Sequence, residues 1–169
     1  MKPALLERPP TSEMNPTPPL MLDHETRTGL RFGWPRGFRA DNPSMILLYR
    51  KPDDAQARLV IKRLGDDGAA SLDAAAAAVK LGDASWEAWQ DTVVTSARHP
   101  ARMRRGRGKS PRGAAREAFE VIVEVQGLPP VGLLAAWPTA APAEELALDV
   151  VRHLQVCRWK IGSGCEPLD

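Results

Sequence analysis

The 169 residues carry 23 lysines and arginines against 21 aspartates and glutamates, with 43% apolar and 26% charged side chains. That balance excludes a collagen-like, wholly disordered or membrane-embedded chain, and the length suffices to bury a core without disulfides or metals. The longest nearly apolar stretch, Leu128 to Trp137, is too short for a bilayer and contains Pro129 and Pro130, so no membrane span is expected.

The N-terminus reads MKPALLERPP, placing Glu7, Arg8, Pro9 and Pro10 where a secretory signal needs a continuous apolar core. No export is expected, and a cytoplasmic location follows. Prolines 3, 9, 10, 16, 18 and 19 each remove a backbone donor and restrict the preceding residue. Residues 1–25 are therefore expected to form a disordered, proline-rich tail, followed by a single domain over 26–161 and a C-terminal tail over 162–169.

The first strand is expected at Thr28 to Phe32, followed by an aromatic turn from Gly33 to Phe38. Ser44 to Arg50 is apolar and bounded by Pro43 and Pro52, which suits a strand covered on both faces. Arg58 to Leu64 is its expected hairpin partner, across a turn containing Asp53 and Asp54. Ser71 is placed to cap a helix running to Leu81 and closed by Gly82, with Leu72, Ala75, Ala76 and Val79 as its apolar stripe. Trp86 to Ser96 is ambiguous: Trp86, Trp89 and Val93 repeat at helical spacing, yet Thr92 to Thr95 prefers a strand. Gly106, Gly108, Pro111 and Gly113 argue that Arg98 to Arg116 is a long flexible loop.

Beyond it, Glu117 to Val125 alternates as a strand, and Val131 to Trp137 completes a second hairpin. The closing helix is expected from Pro142. Glu144 and Glu145 suit its first turn, and Arg152, Arg158 and Lys160 suit its end. Leu146, Val150, Leu154 and Cys157 form its apolar line. Strands paired as hairpins with few, separate helices predict an α+β fold, a mainly antiparallel sheet packed with a few helices.

In this order the chain resembles the PsbP/DcrB-like α/β sandwich group. Leu30-Arg31-Phe32 followed by Pro35-Arg36-Gly37-Phe38 corresponds to its opening strand and aromatic turn. Ser71-Leu72-Asp73 corresponds to its first helix start, and Ala143-Glu144-Glu145-Leu146 to the acidic start of its closing helix. The resemblance spans about residues 26–159. It implies a non-catalytic role in binding, assembly or chaperoning. One branch, the cytoplasmic chaperones of type VI secretion effectors, implies a secreted effector as partner.

The residues themselves assemble no catalytic site. His24, His99 and His153 have no evident nucleophile or carboxylate partner. They do not fall at ligand spacing with each other or with Cys157 and Cys165, so neither metal nor cofactor is expected. Gly108-Lys109-Ser110 looks like the end of a phosphate loop, but Met103 stands where that pattern needs glycine.

The basic segment offers Arg102, Arg104, Arg105, Arg107, Lys109 and Arg112 as anion ligands, in a chain whose remainder is net acidic. No aromatic residue lies within it for a base to stack on. Trp86 and Trp89 read either as core or as an exposed patch for a protein partner. The expected function is a non-enzymatic protein-binding module, a secretion-associated adaptor or chaperone. Nucleic-acid or polyanion binding through 98–116 is the alternative, and nothing in the pattern sets an oligomeric state.

Overall fold

The computed structural model describes residues 20–25, 30–35, 38–41, 46–50, 57–65, 68, 72–94, 99–125, 127–160, 162 and 164–167. Twelve strands are seen there: β1 (Leu20–Glu25), β2 (Leu30–Pro35), β3 (Phe38–Asp41), β4 (Ile46–Arg50), β5 (Arg58–Arg63), β6 (Gly82–Trp86), β7 (Gln90–Val94), β8 (His99–Lys109), β9 (Ala115–Val125), β10 (Leu128–Pro138), β11 (Gln155–Lys160) and β12 (Gly164–Pro167). A 3-10 turn (Ala74–Ala77) precedes β6, and one α-helix, α1 (Glu144–Arg152), precedes β11. A four-stranded sheet runs β1-β2-β11-β12. The larger one runs β3-β4-β5-β10-β9-β8-β6, with β7 also paired to β8. The pairings are antiparallel, which is the α+β architecture expected.

The large sheet is covered on both faces. Phe119, Val121 and Val123 of β9 point to one side, where Ala147, Leu148, Val150 and Val151 of α1, with Leu154 just beyond it, are buried in one cluster with Ile61, Met103, Leu133 and Trp137. Ala118 and Ile122 point to the other, where Leu72, Ala75, Val79 and Leu81 close over Val60, Leu134 and Ala136. Two covered faces explain why β10 reads as a nearly continuous apolar run, while β9 carries Arg116, Glu117, Glu120 and Glu124 among its apolar residues. Each large side chain so buried contributes roughly 1.5–3 kcal/mol. Both predicted hairpins, β4–β5 and β9–β10, are present.

Several local expectations give way. The helix expected to run from Ser71 to Leu81 is helical at Leu72 and Asp73, tightens to 3-10 over 74–77 and then turns; Ser71 lies outside the described residues. Alanine's helix preference is a few tenths of a kcal/mol per residue, less than is gained by laying Leu72, Val79 and Leu81 flat on the sheet. Lys80 and Asp83 take φ of 58° and 46° to make the reversal, and Gly82 opens β6 instead of ending a helix.

The segment expected as a loop from Arg98 to Arg116 is, over its described residues 99–116, mostly strand: His99–Lys109 is a strand, and only Ser110–Ala114 turns. Its glycines are there because neighbours approach closely. A Cβ on Gly106 would lie 2.4 Å from the Trp86 ring, and one on Gly108 would lie 2.5 Å from both the Gly82 carbonyl and Leu81.

The closing helix stops at Arg152, and Cys157 lies on β11. The chain leaves the helical path after Leu154 to pair Gln155 and Val156 with Arg31 and Leu30 of β2. At the ends, Leu20–Glu25, within the segment expected as tail, pairs with β2, and Gly164–Pro167 pairs with β11. The rest of the expected N-terminal tail, residues 1–19, lies outside the described residues. Among the described residues no helix is long and apolar enough to cross a membrane.

Candidate interaction surface at the edge of the large sheet

Strand β8 is long enough to carry two short partners end to end. β6 pairs with its Gly106–Lys109 half and β7 with its His99–Met103 half. Between them the chain steps across at Arg105, whose carbonyl accepts from the Glu87 N–H at 2.8 Å. This step sets Trp86 and Trp89 down on the second face of the sheet, half-buried against the cluster around Ile122. Each of the two rings packs inward and keeps an exposed part. Gly106 provides the seat for Trp86.

Beneath the rings lies Arg104. Its guanidinium is 4.5 Å from the Trp86 ring centroid and 4.4 Å from that of Trp89, and the Arg102 guanidinium is 5.3 Å from Trp89. Arg104 Nε donates to Glu120 Oε1 at 2.9 Å, and its Nη2 donates to Asp73 Oδ1 at 3.0 Å. The planar fork suits this double engagement. It joins the cover, through Asp73, to the sheet, through Glu120.

Glu120 stands directly across from Arg104 in the β8–β9 register and is wholly buried. Its Oε2 makes no hydrogen bond among the described residues. Burial pushes the Glu120 carboxyl up to about 8, against the downward pull of the Arg104 hydrogen bond and charge. A second arginine, Arg116, is 2% exposed and donates from Nη2 to the Ala136 carbonyl at 3.0 Å and the Val79 carbonyl at 3.4 Å. It too ties cover to sheet.

The six cations expected as one anion site are divided by strand alternation. Arg102 and Arg104 lie under the indoles. Arg105 points to the opposite face and pairs with Glu144 of α1. Arg107, Lys109 and Arg112 are exposed toward the β8–β9 turn, where Lys80, Lys109, Ser110 and Gly113 line a groove of about 490 Å³. A smaller cleft of about 270 Å³ lies beside α1, lined by Glu87, Arg105, Arg107, Glu117, Trp137 and Glu144.

Sequence reasoning missed Glu120, Asp73 and Arg116. The signal was a charged residue inside an apolar run, and it became interpretable only with the register. His99 is partly buried, which lowers its pKa, and His153 Nδ1 sits 2.8 Å from the Asp149 carbonyl of its own helix. Among the described residues no group of His, Cys, Asp and Glu is placed to hold a metal.

No protein-family model and no curated protein matches the sequence. Solved structures do. A protein from Bacteroides thetaiotaomicron superposes with a TM-score of 0.54 at 14% identity, over 78% of this chain and 46% of its own, so this chain spans less than half of that protein. Cyanobacterial PsbP (CyanoP) from Synechocystis sp. PCC 6803 gives 0.53 at 12% identity, over 83% of this chain and 94% of its own. The Ran-binding protein Mog1p of Saccharomyces cerevisiae gives 0.52 at 12% identity, over 80% and 96%. The chain has the PsbP/Mog1-like fold.

Proposed function

We propose that the chain is a non-enzymatic protein-binding module whose contact surface is the Trp86–Trp89 edge, and that it serves as a secretion-associated adaptor or chaperone for a secreted effector. The observation that carries the binding role is the pair of half-exposed indoles held in place by Arg104. Tryptophan and arginine dominate the energetics of protein interfaces when their conformations are set beforehand. The fold supports the same reading, because Mog1p, which shares it, is a Ran-binding protein. The secretion role rests on the resemblance to the effector-chaperone branch.

The test is recovery of the native partner from the source cells with wild type, Trp89→Phe and Trp89→Ala, identified by mass spectrometry. Wild type and the phenylalanine variant are expected to bring down the same effector. The alanine variant should lose it while keeping its far-ultraviolet circular dichroism. Equal recovery by all three removes this surface from the function, and a partner that is never exported removes the secretion role.

A second reading, polyanion or nucleic-acid binding, is favoured by one observation: Arg107, Lys109 and Arg112 stay exposed together near the β8–β9 turn. Changing all three to alanine is expected to lower the salt at which the protein leaves a heparin column. Its unfolding free energy should stay within about 0.5 kcal/mol per site, as for other exposed positions. Unchanged elution removes this reading. Arg104 is unsuited to the test because its loss disturbs the fold.

A further inference from the structure

We infer that residues 72–81 form a hinged cover whose opening releases the proton of Glu120, so that rising pH bares the apolar second face of the large sheet. This device does not depend on what docks at the Trp86–Trp89 edge.

The attachment of residues 72–81 makes them the part of this face that can lift. Among the described residues they pair with no strand. Backbone hydrogen bonds from Ala78 to Ala75, Lys80 to Ala77 and Leu81 to Ala76 stay inside the segment, and that from Leu72 reaches back to Gly68. Side chains make the junction. Leu72, Ala75, Val79 and Leu81 cluster with Val60, Ile122 and Leu134, Arg104 holds Asp73, and Arg116 reaches the Val79 carbonyl at 3.4 Å. Strands β8, β9 and β10 are instead joined by their backbones. A segment with few such links opens at lower cost than the sheet beneath it. Bends flank the cover: Gly68 takes a φ of 47° before it, and Lys80 and Asp83 take 58° and 46° at its end. That conformation is unfavourable for a residue with a Cβ, and opening can relieve it.

Beneath the cover lies Glu120, wholly buried, with Oε2 unbonded among the described residues. Facing it from β8 are Arg104, directly opposite, and Arg102 one pleat along, beyond which stands Asp91 of β7. β10 sets Leu134 against it, and past that strand β5 carries Arg58 and Lys62 on the same face. Along β9 itself Arg116 and Glu124 share this face, four residues away on either side. The cover brings Asp73 at its start and Lys80 at its end. Of these groups, Arg104 and Asp73 act on the Glu120 carboxyl.

While the cover is shut, burial holds that carboxyl up to about 8, with Arg104 pulling it down and Asp73 pushing it up. Opening lets water reach Oε2 and takes Asp73 away, which returns the group toward its ordinary value of 4.5. Between those values the open form has given up a proton that the closed form keeps. Opening is therefore favoured as pH rises through the window, by at most about tenfold per pH unit for one proton, and it levels off above about 8. His99, whose pKa burial lowers, stands two positions before Ala101 and so on the other face of the sheet.

The test is hydrogen–deuterium exchange of the full chain, read by mass spectrometry between about pH 5 and 9, for wild type and Glu120→Gln. At each pH the two proteins share the same intrinsic exchange rates in the cover, so their ratio reports the opening alone. In wild type the amides of Ala78, Lys80 and Leu81 are expected to exchange faster than those of β9 and β10. Relative to the glutamine variant, their opening should rise about tenfold or more from pH 6 to 8. Asp73→Asn, at an exposed site, loses the outer anchor of Arg104 and should speed exchange in the cover at every pH while β9 and β10 stay protected. If Glu120→Gln does not fold, wild type alone carries the test, because protection of its cover should fall with pH and level off above about 8.

A cover as well protected as β9 and β10, an opening that does not change with pH, or an Asp73→Asn cover that exchanges no faster than wild type overturns the inference.

Discussion

Replacing Arg104 by alanine is expected to cost the fold about 2–4 kcal/mol, read as a lower midpoint in urea, although the residue lies in what looks like a surface basic run. A partly desolvated cation over an indole contributes roughly 0.5–2 kcal/mol. A hydrogen bond to a charged group contributes about 1.5–3 kcal/mol. Arg104, with a side chain 13% exposed, makes contacts of both kinds, with Trp86 and Trp89 and with Asp73 and Glu120. These terms share one side chain and do not add in full.

Losing Arg104 also removes the group that holds the Glu120 carboxyl down, so in the variant Glu120 should titrate at still higher pH. Trp86 and Trp89 should become more exposed and shift their emission to the red. Arg104→Lys should recover only part of the loss, because an ammonium has no planar fork to engage two carboxylates. A variant as stable as wild type between pH 6 and 9, with unshifted emission, would refute the role given to Arg104 as the tie between cover and sheet.

The second large effect is a loss of stability as pH rises from the acid range toward about 8. The Glu120 carboxyl titrates near 4.5 when freely hydrated and near 8 in the fold, raised by burial. Between those values the folded chain keeps a proton that the unfolded chain has released. The favourable contribution of this group is complete below about 4.5, declines through the window, and is gone above about 8, where both states are ionised. The limiting slope for one such group is about 1.4 kcal/mol per pH unit, so the loss across the window is on the order of a few kcal/mol.

Glu120→Gln keeps an acceptor for Arg104 and cannot ionise, so its unfolding free energy should lack this slope. Burial lowers the pKa of His99, but that contribution is common to both proteins and cancels in the difference. Urea unfolding of wild type and Glu120→Gln from pH 5 to 9 provides the check. Parallel curves would mean that Glu120 is not a buried, protonated carboxyl at neutral pH.

Several elements could be read directly from the sequence. Glu117 to Val125 announces a strand by its alternation, and Val131 to Trp137 by an apolar run that suits a sheet covered on both faces. Glu144, Glu145 and Arg152 mark the helix by their match to its dipole. Trp86 and Trp89 stood out as a pair, and the structure places them together at the sheet edge.

Other features needed the third dimension. Gly106 and Gly108 read locally as breakers, yet each sits in a strand because Trp86 or Leu81, about twenty residues or more away in sequence, needs its space. The helical spacing of Leu146, Val150 and Leu154 runs on to Cys157, but the chain leaves that path to pair with β2, a partner more than a hundred residues earlier.

Local pattern, then, determined which stretches of this protein alternate, turn or coil, because those preferences act between residues a few positions apart. The tertiary structure alone decided that a run of arginines is divided between two faces, and that one of them closes over a buried glutamate. Those outcomes depend on the register between β8 and β9 and on a cover brought in from another segment. Such contacts join residues 16 and 31 positions apart, beyond the reach of local periodicity.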